Sequence, residues 1–242
     1  MIIRAILSGL MMVTLSVATT QLPILMYHHI RTPEPTDSAL FRDLSCPFDL
    51  FSSHLDYLQQ AGFNTVTFKE IENALAQRKP LGAHVVLLSF DDGGQDQWQA
   101  FQELARRGMK GVFFVTSGYV GSPRHLSPDQ LRAMVEAGME VGSHPVHHLD
   151  LTTLAPQAMQ AELLRSKQEL ESIIGQTIIR VAYTAGRNNE SVRKMSESVG
   201  YRYGRTTLPG IAVIASRNMS LPMIRIHNVT NVRELTKSLP RE

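Results

Sequence analysis

Cysteine is almost missing from the chain: Cys46 is the sole one in 242 residues. No disulfide can form within the molecule and no cysteine-rich zinc ribbon can be built, so any bound metal must rest on His, Asp and Glu. Charge of one sign is equally scarce. Lys and Arg number 24 against 22 Asp and Glu, a formal +2, which excludes a polyanion-binding surface and with it a nucleic-acid partner. Charged residues reach only 19% while hydrophobic ones reach 43%, a balance that a disordered chain does not have. No repeat, low-complexity tract or linker divides the sequence, and its length fits one large domain.

The first residues differ from the rest. Met1-Ile2-Ile3-Arg4 supplies a short positive start, an apolar run follows from Ala5 to Val17, and Ser16-Val17-Ala18 places small residues where a signal peptidase needs them. The run falls short of the roughly 20 residues that span a bilayer. The expectation is a leader over residues 1–20 and a secreted or periplasmic domain over 21–242, with no transmembrane segment in the mature chain. An uncleaved membrane anchor is the competing reading.

Past the leader, apolar patches alternate between two periods. Pro23–Tyr27 and Val85–Phe90 are continuous apolar runs of strand length, the pattern of strands buried on both faces. Further strands are expected at 64–68, 111–115, 139–142, 178–183, 201–206 and 223–227. Helices are expected at 50–60, 70–76, 97–107, 156–174 and 190–199, and another begins at Ser127-Pro128-Asp129-Gln130, which has the form of a capping box. Strands that alternate with helices call for a parallel sheet. Seven or eight such units predict a single α/β domain with a distorted or incomplete (β/α) barrel.

A barrel of this kind carries its chemistry at the C-terminal ends of its strands. Asp91-Asp92-Gly93 follows Val85–Phe90, and Ser143-His144-Pro145-Val146-His147-His148 follows Met139–Gly142. Tyr183-Thr184-Ala185-Gly186 closes the strand from Ile178, and His227 closes the last one. His144 and His148, four apart, share a face if Pro145 opens a helical turn. Two imidazoles and one carboxylate form a usual catalytic zinc set with a position left for water. On a turn Asp91 and Asp92 diverge, so one can ligate while the other takes the proton of the water. His28 lies on the same rim, His147 is expected to face solvent, and Trp98 and Cys46 are expected to pack.

These segments resemble the polysaccharide deacetylases, the NodB-homology carbohydrate esterases of family four. Pro23–His28 is similar to the family's first strand, Ser89-Phe90-Asp91-Asp92-Gly93 to its Thr-Phe-Asp-Asp-Gly motif, and Gly142–His148 to its His-Ser/Thr-x-x-His motif. The resemblance implies a NodB-type barrel and a divalent metal, most often Zn2+, held by Asp92, His144 and His148. It implies Asp91 as base, Ala185 and Tyr183 on the substrate and oxyanion side, and His227 as proton donor. The reaction implied is removal of N-acetyl groups from an N-acetylglucosamine polymer, with acetate released.

The chain also departs from the family pattern. Pro145 stands for the usual Ser or Thr, and Ala182-Tyr183-Thr184-Ala185 replaces a third motif that commonly begins with arginine. The arginine that orients the base is thus missing at Ala182, with Arg187 and Arg225 as possible substitutes, and the Asp- and Trp-containing fourth motif has no counterpart. Those departures motivate two alternatives: a non-catalytic carbohydrate-binding protein of the same fold, and a metal-dependent hydrolase of another amide or ester.

Overall fold

Runs that are apolar at every position form strands only where both faces are covered, and in this chain closure of the sheet into a ring supplies both covers. The computed structural model describes residues 20–240. The expected leader, up to residue 19, lies outside the described residues. Ten strands are present: β1 (Thr20–Leu22), β2 (Ile24–Tyr27), β3 (Asn64–Thr65), β4 (Val85–Phe90), β5 (Val112–Thr116), β6 (Glu140–His144), β7 (Arg180–Ala182), β8 (Tyr203–Pro209), β9 (Ala212–Ile214) and β10 (Asn218–Arg225). Eight α-helices join them: α1 (Ala39–Asp43), α2 (Phe48–Gln60), α3 (Phe68–Ala76), α4 (Gln97–Arg106), α5 (Pro128–Glu136), α6 (Pro156–Ile174), α7 (Glu190–Ser198) and α8 (Val232–Ser238). No helix among the described residues is long and apolar enough to cross a membrane.

Strands β2, β4, β5, β6, β7, β8 and β10 pair side by side in that order, all parallel, and β10 pairs back onto β2. The result is the expected α/β barrel, closed by seven strands in a single domain. Between β8 and β10 the crossover is no helix but β9, which runs antiparallel to β1.

Alternate residues of each strand enter different cores. Ile24, Met26, Leu87, Val112, Phe114, Ala182, Tyr203, Leu221 and Met223 pack together inside the ring. Their neighbours Leu25, Tyr27, Val86, Leu88, Phe90, Phe113, Val141 and Val181 pack outward with helix residues such as Leu55, Leu104, Leu131 and Leu163. Phe68 and Ile71 of α3 join the inner core with Leu22, Ala212 and Ile214, which closes the N-terminal mouth.

Two boundaries differ from the sequence reading. The strand expected at 64–68 stops at Thr65, because Thr67 accepts from the Glu70 amide and Glu70 reaches back to Thr67, a capping box that starts α3 at Phe68. The last strand begins earlier than expected and ends at Arg225, which leaves His227 beyond the sheet. The capping box of Ser127 and Gln130 forms as read, with Pro128 in the first turn.

One carboxylate ties the closed end together. Glu140, the first residue of β6, accepts from the amides of Phe68 and Lys69 at 2.8 Å each and pairs with Arg180 of β7 at 3.1 Å. Both side chains are buried, and burial pushes the Arg180 pKa down while Glu140 opposes the shift. Glu140→Ala leaves the guanidinium buried without its partner and two helix amides without an acceptor. It should lower unfolding stability by about 3 kcal/mol, read from the denaturant midpoint; a change within about 0.5 kcal/mol, as for an ordinary surface site, would contradict this role.

Candidate active site

The inward positions of the strands continue past their last apolar residue, and there they become polar. Two residues beyond Met26 stands His28; beyond Leu87 come Ser89 and then Asp91; His144 ends β6; Arg205 and Thr207 follow Tyr203; Arg225 follows Met223. His28, Asp91, Asp92, His144, His148, Ala185, Thr207 and Arg225 line an open cavity of about 300 Å³ at the C-terminal mouth. Helix α1, which the sequence reading missed, forms the outer wall with Leu40 and Phe41. His29 stacks on Phe41 with ring centroids 3.7 Å apart.

Asp91 and Asp92 diverge because the chain turns between them. Asp92 takes φ 78° and Gly93 φ 77°, both left-handed. A Cβ on Gly93 would lie 2.9 Å from Val115 Cγ1, so glycine is required there on two counts. Three functional candidates, Asp92, His148 and Ala185, adopt positive φ without being glycine, the kind of local strain that collects at working sites.

The two histidines reach one point by a route other than the one expected. No helical turn follows His144. That residue ends a strand, and Pro145 opens a tight turn closed by the His148 amide donating to the Pro145 carbonyl at 3.3 Å. A left-handed His148 (φ 55°) cannot continue a helix, and the turn folds it back over the mouth. Asp92 Oδ1 then lies 3.4 Å from His144 Nε2 and 3.3 Å from His148 Nε2. One donor atom from each residue falls within 4.8 Å of the others. His144 Nδ1 donates to the Ala182 carbonyl at 2.6 Å, which leaves Nε2 with its lone pair toward Asp92. Burial works against charge on Asp92, yet hydrogen bonds from His144 and His148 hold its carboxyl well below the usual range. The same bond from Asp92 raises the His148 pKa against the effect of burial. An anionic oxygen and two imidazole nitrogens that converge beside open space fit a divalent cation.

Asp91 belongs to a different partner. Its Oδ2 accepts a short hydrogen bond from the Arg205 guanidinium and lies 3.7 Å from His28 Nε2. Asp91 and Arg205 are 4% and 1% exposed, so the pair is sealed from solvent screening. The guanidinium lies 5.2 Å from the centroid of the Phe114 ring and donates to the Thr206 carbonyl at 3.1 Å. Gln97 donates to the Asp91 carbonyl and fixes the backbone as well. Asp91 Oδ1 is buried and engages no donor of the protein, which leaves that oxygen free to accept a proton. Burial lowers the His28 pKa, with Asp91 and Asp92 pulling the other way.

Arg205 is the residue that sequence reasoning missed. It pairs in register with Ala182, the position where the family pattern leads one to expect an arginine. The guanidinium therefore arrives from the adjacent strand. Neither proposed substitute fills that place: Arg187 pairs with Asp150 at 2.8 Å and is exposed, and Arg225 lines the cavity without reaching Asp91 within ion-pair distance. A charged residue inside the apolar run Tyr201–Thr206 was the available signal.

Two expected site residues are corrected. The Tyr183 side chain is buried away from the cavity, its hydroxyl donates to the Met219 carbonyl at 3.1 Å, and burial pushes its pKa up to about 12. His227 does not line the cavity; past the end of β10 the chain bends, and Nδ1 faces Asp43 of α1 at 3.0 Å. Ala185 does line it. His147 is half exposed and pairs with Glu162 at 2.5 Å, apart from the ligand cluster. Cys46 is buried, its thiol pushed up to about 12 by burial, and Trp98 packs on Phe101.

Comparisons with known proteins agree with this architecture. The family model described as polysaccharide deacetylase matches residues 78–204, a span that contains both acidic and histidine motifs and stops one residue short of Arg205. YxkH of Bacillus subtilis (strain 168), assigned by name to the polysaccharide deacetylases, is 34% identical over 207 residues, covering 85% of this chain and 71% of that protein. A chitooligosaccharide deacetylase of Rhizobium leguminosarum bv. trifolii is 28% identical over 119 residues, 48% of this chain and 54% of its own length. Among solved structures, the Streptococcus pyogenes deacetylase PplD in complex with acetate superposes with a TM-score of 0.85 at 29% identity, over 93% of this chain and 100% of that one. In motif, in sequence and in the closed barrel that carries the site, the chain belongs to the polysaccharide deacetylases, hydrolases that act on amide bonds.

Proposed function

We propose that the protein is an exported, metal-dependent deacetylase that removes N-acetyl groups from a polysaccharide containing N-acetylglucosamine and releases acetate. One observation carries the reading: Asp92, His144 and His148 converge while Asp91 stands beside them, engaged to Arg205 and not to the histidines. Relatives named for chitooligosaccharide deacetylation support the amide of N-acetylglucosamine as the bond broken. The leader-like start of the sequence supports action outside the cytoplasm.

A divalent ion held by the three ligands, most often zinc in such a donor set, lowers the pKa of a water and polarises the acetyl carbonyl. The protein's own groups do the rest. Asp91 Oδ1 accepts the proton of the attacking water, while Arg205 keeps Oδ2 charged and directed. The Ala185 amide at the cavity wall donates to the developing oxyanion. Departure of the sugar nitrogen needs a proton, and His28, whose Nε2 lies 3.7 Å from Asp91, is the imidazole placed to give it. That assignment replaces His227. With Arg205 supplying the guanidinium, the altered third motif no longer favours a non-catalytic role.

Three measurements test the reading. Acetate release from N-acetylglucosamine oligomers should be abolished by a chelator, and Asp91→Asn should lower kcat by about 100- to 10,000-fold while metal content persists. His144→Ala should strip the metal and His147→Ala should retain it; the reverse result would refute the ligand set. His28→Gln should lower kcat by about 100-fold and Arg205→Lys by a comparable factor through misplacement of the base, whereas His227→Gln should leave kcat within about twofold. Sugar binding with no acetate from any oligomer would favour the non-catalytic protein, and acetate from simple esters alone the other hydrolase.

A further inference from the structure

Arg225 ends β10 at an inward position, is half-buried, and lines the cavity beside α1. Among the described residues its side chain makes no ion pair and no hydrogen bond. Every other arginine near the mouth is engaged: Arg31 by Asp37 at 2.8 Å, Arg187 by Asp150 at 2.8 Å, and Arg205 by Asp91. The carboxylates that share the cavity are committed elsewhere, Asp91 to Arg205 and Asp92 to the two histidines. The facing wall is apolar, with Leu40, Phe41 and Leu44.

A guanidinium that has lost part of its hydration and gained no counter-charge is costly. In a substrate cavity the missing charge is one the ligand can bring, and the planar fork of arginine matches a carboxylate in two parallel hydrogen bonds. One unpaired cation against an apolar wall matches one negative charge. We propose that Arg225 binds a carboxylate carried by the glycan, so that the substrate is an acidic N-acetylhexosamine polymer and not a neutral one. The inference rests on the deacetylase reading of the same cavity. The carboxylate has two chemical sources: an acidic ether on the amino sugar itself, or a uronic acid next to it.

The test compares three tetrasaccharides on the full chain: the neutral N-acetylglucosamine tetramer, one alternating N-acetylglucosamine with its 3-O-lactyl derivative, and one alternating it with glucuronic acid. Dissociation constants are measured by calorimetry with chelator present, which prevents turnover. One acidic tetrasaccharide should bind about 10- to 100-fold more tightly than the neutral one, and which of the two does so locates the carboxylate. Arg225→Gln should abolish the preference and Arg225→Lys should keep part of it. Equal binding of all three, an acidic preference that survives Arg225→Gln, or an effect of Arg225→Gln confined to binding of free acetate would overturn the proposal. Acetate release from the same sugars without chelator reports on the deacetylase reading separately: release with no acidic preference in binding rejects the role of Arg225 alone. A lack of release from all three rejects the deacetylase reading, and the calorimetry still decides Arg225.

Discussion

A closed ring of seven parallel strands admits only every second residue to its interior, and that alternation governs the rest of the molecule. Side chains of one parity fill the ring from the α3 plug upward: Ile24 and Met26, Val85 and Leu87, Val112 and Phe114. Once the apolar filling ends, the next residues of the same parity have nowhere to point but the open mouth. His28, Asp91, His144, Thr207 and Arg225 meet in one cavity for that reason, although they come from five strands far apart in sequence. A one-residue slip in any of these strands would turn its functional side chain out among the helices.

The interior also carries charge, and it does so in pairs. Glu140 and Arg180 meet at the closed end; Asp91 and Arg205 meet below the mouth. Between them lies the ring of Phe114, for which Gly142 leaves room: a Cβ there would collide with that ring and come within 3.1 Å of Arg180. Such pairs contribute little net stability, because desolvation offsets most of their attraction. What they supply is position. The carboxylate of Asp91 is held by a guanidinium that is itself held by Phe114 and the Thr206 carbonyl, and a base fixed this way loses little to reorganisation when it accepts a proton.

Much of this was legible in the amino-acid sequence. Continuous apolar runs announced the barrel strands, and capping chemistry placed helices such as Pro156–Ile174 and the start at Ser127. The Asp91-Asp92-Gly93 and His144–His148 segments were recognisable because a turn after a buried strand has little reason to carry such groups. Other features were hidden for physical causes. A five-residue helix such as α1 has too short a periodicity to read, yet it builds a cavity wall. His227 and Tyr183 looked well placed at strand ends, but an early end to β10 and the burial of the Tyr183 ring took them elsewhere. Arg205 escaped because its role depends on pairing with a strand neighbour: Ala182 is 23 positions earlier, and only the register brings them side by side.

The central claim is a division of labour between adjacent aspartates, one turned to a cation and one kept for the proton. A crystal soaked in zinc, with the ion located by its anomalous scattering, tests it most directly. The account predicts density about 2.0–2.2 Å from an oxygen of Asp92 and from Nε2 of His144 and His148, with Asp91 uncoordinated and still bonded to Arg205. An ion on Asp91 in place of Asp92, or one that leaves either histidine unligated, would contradict it.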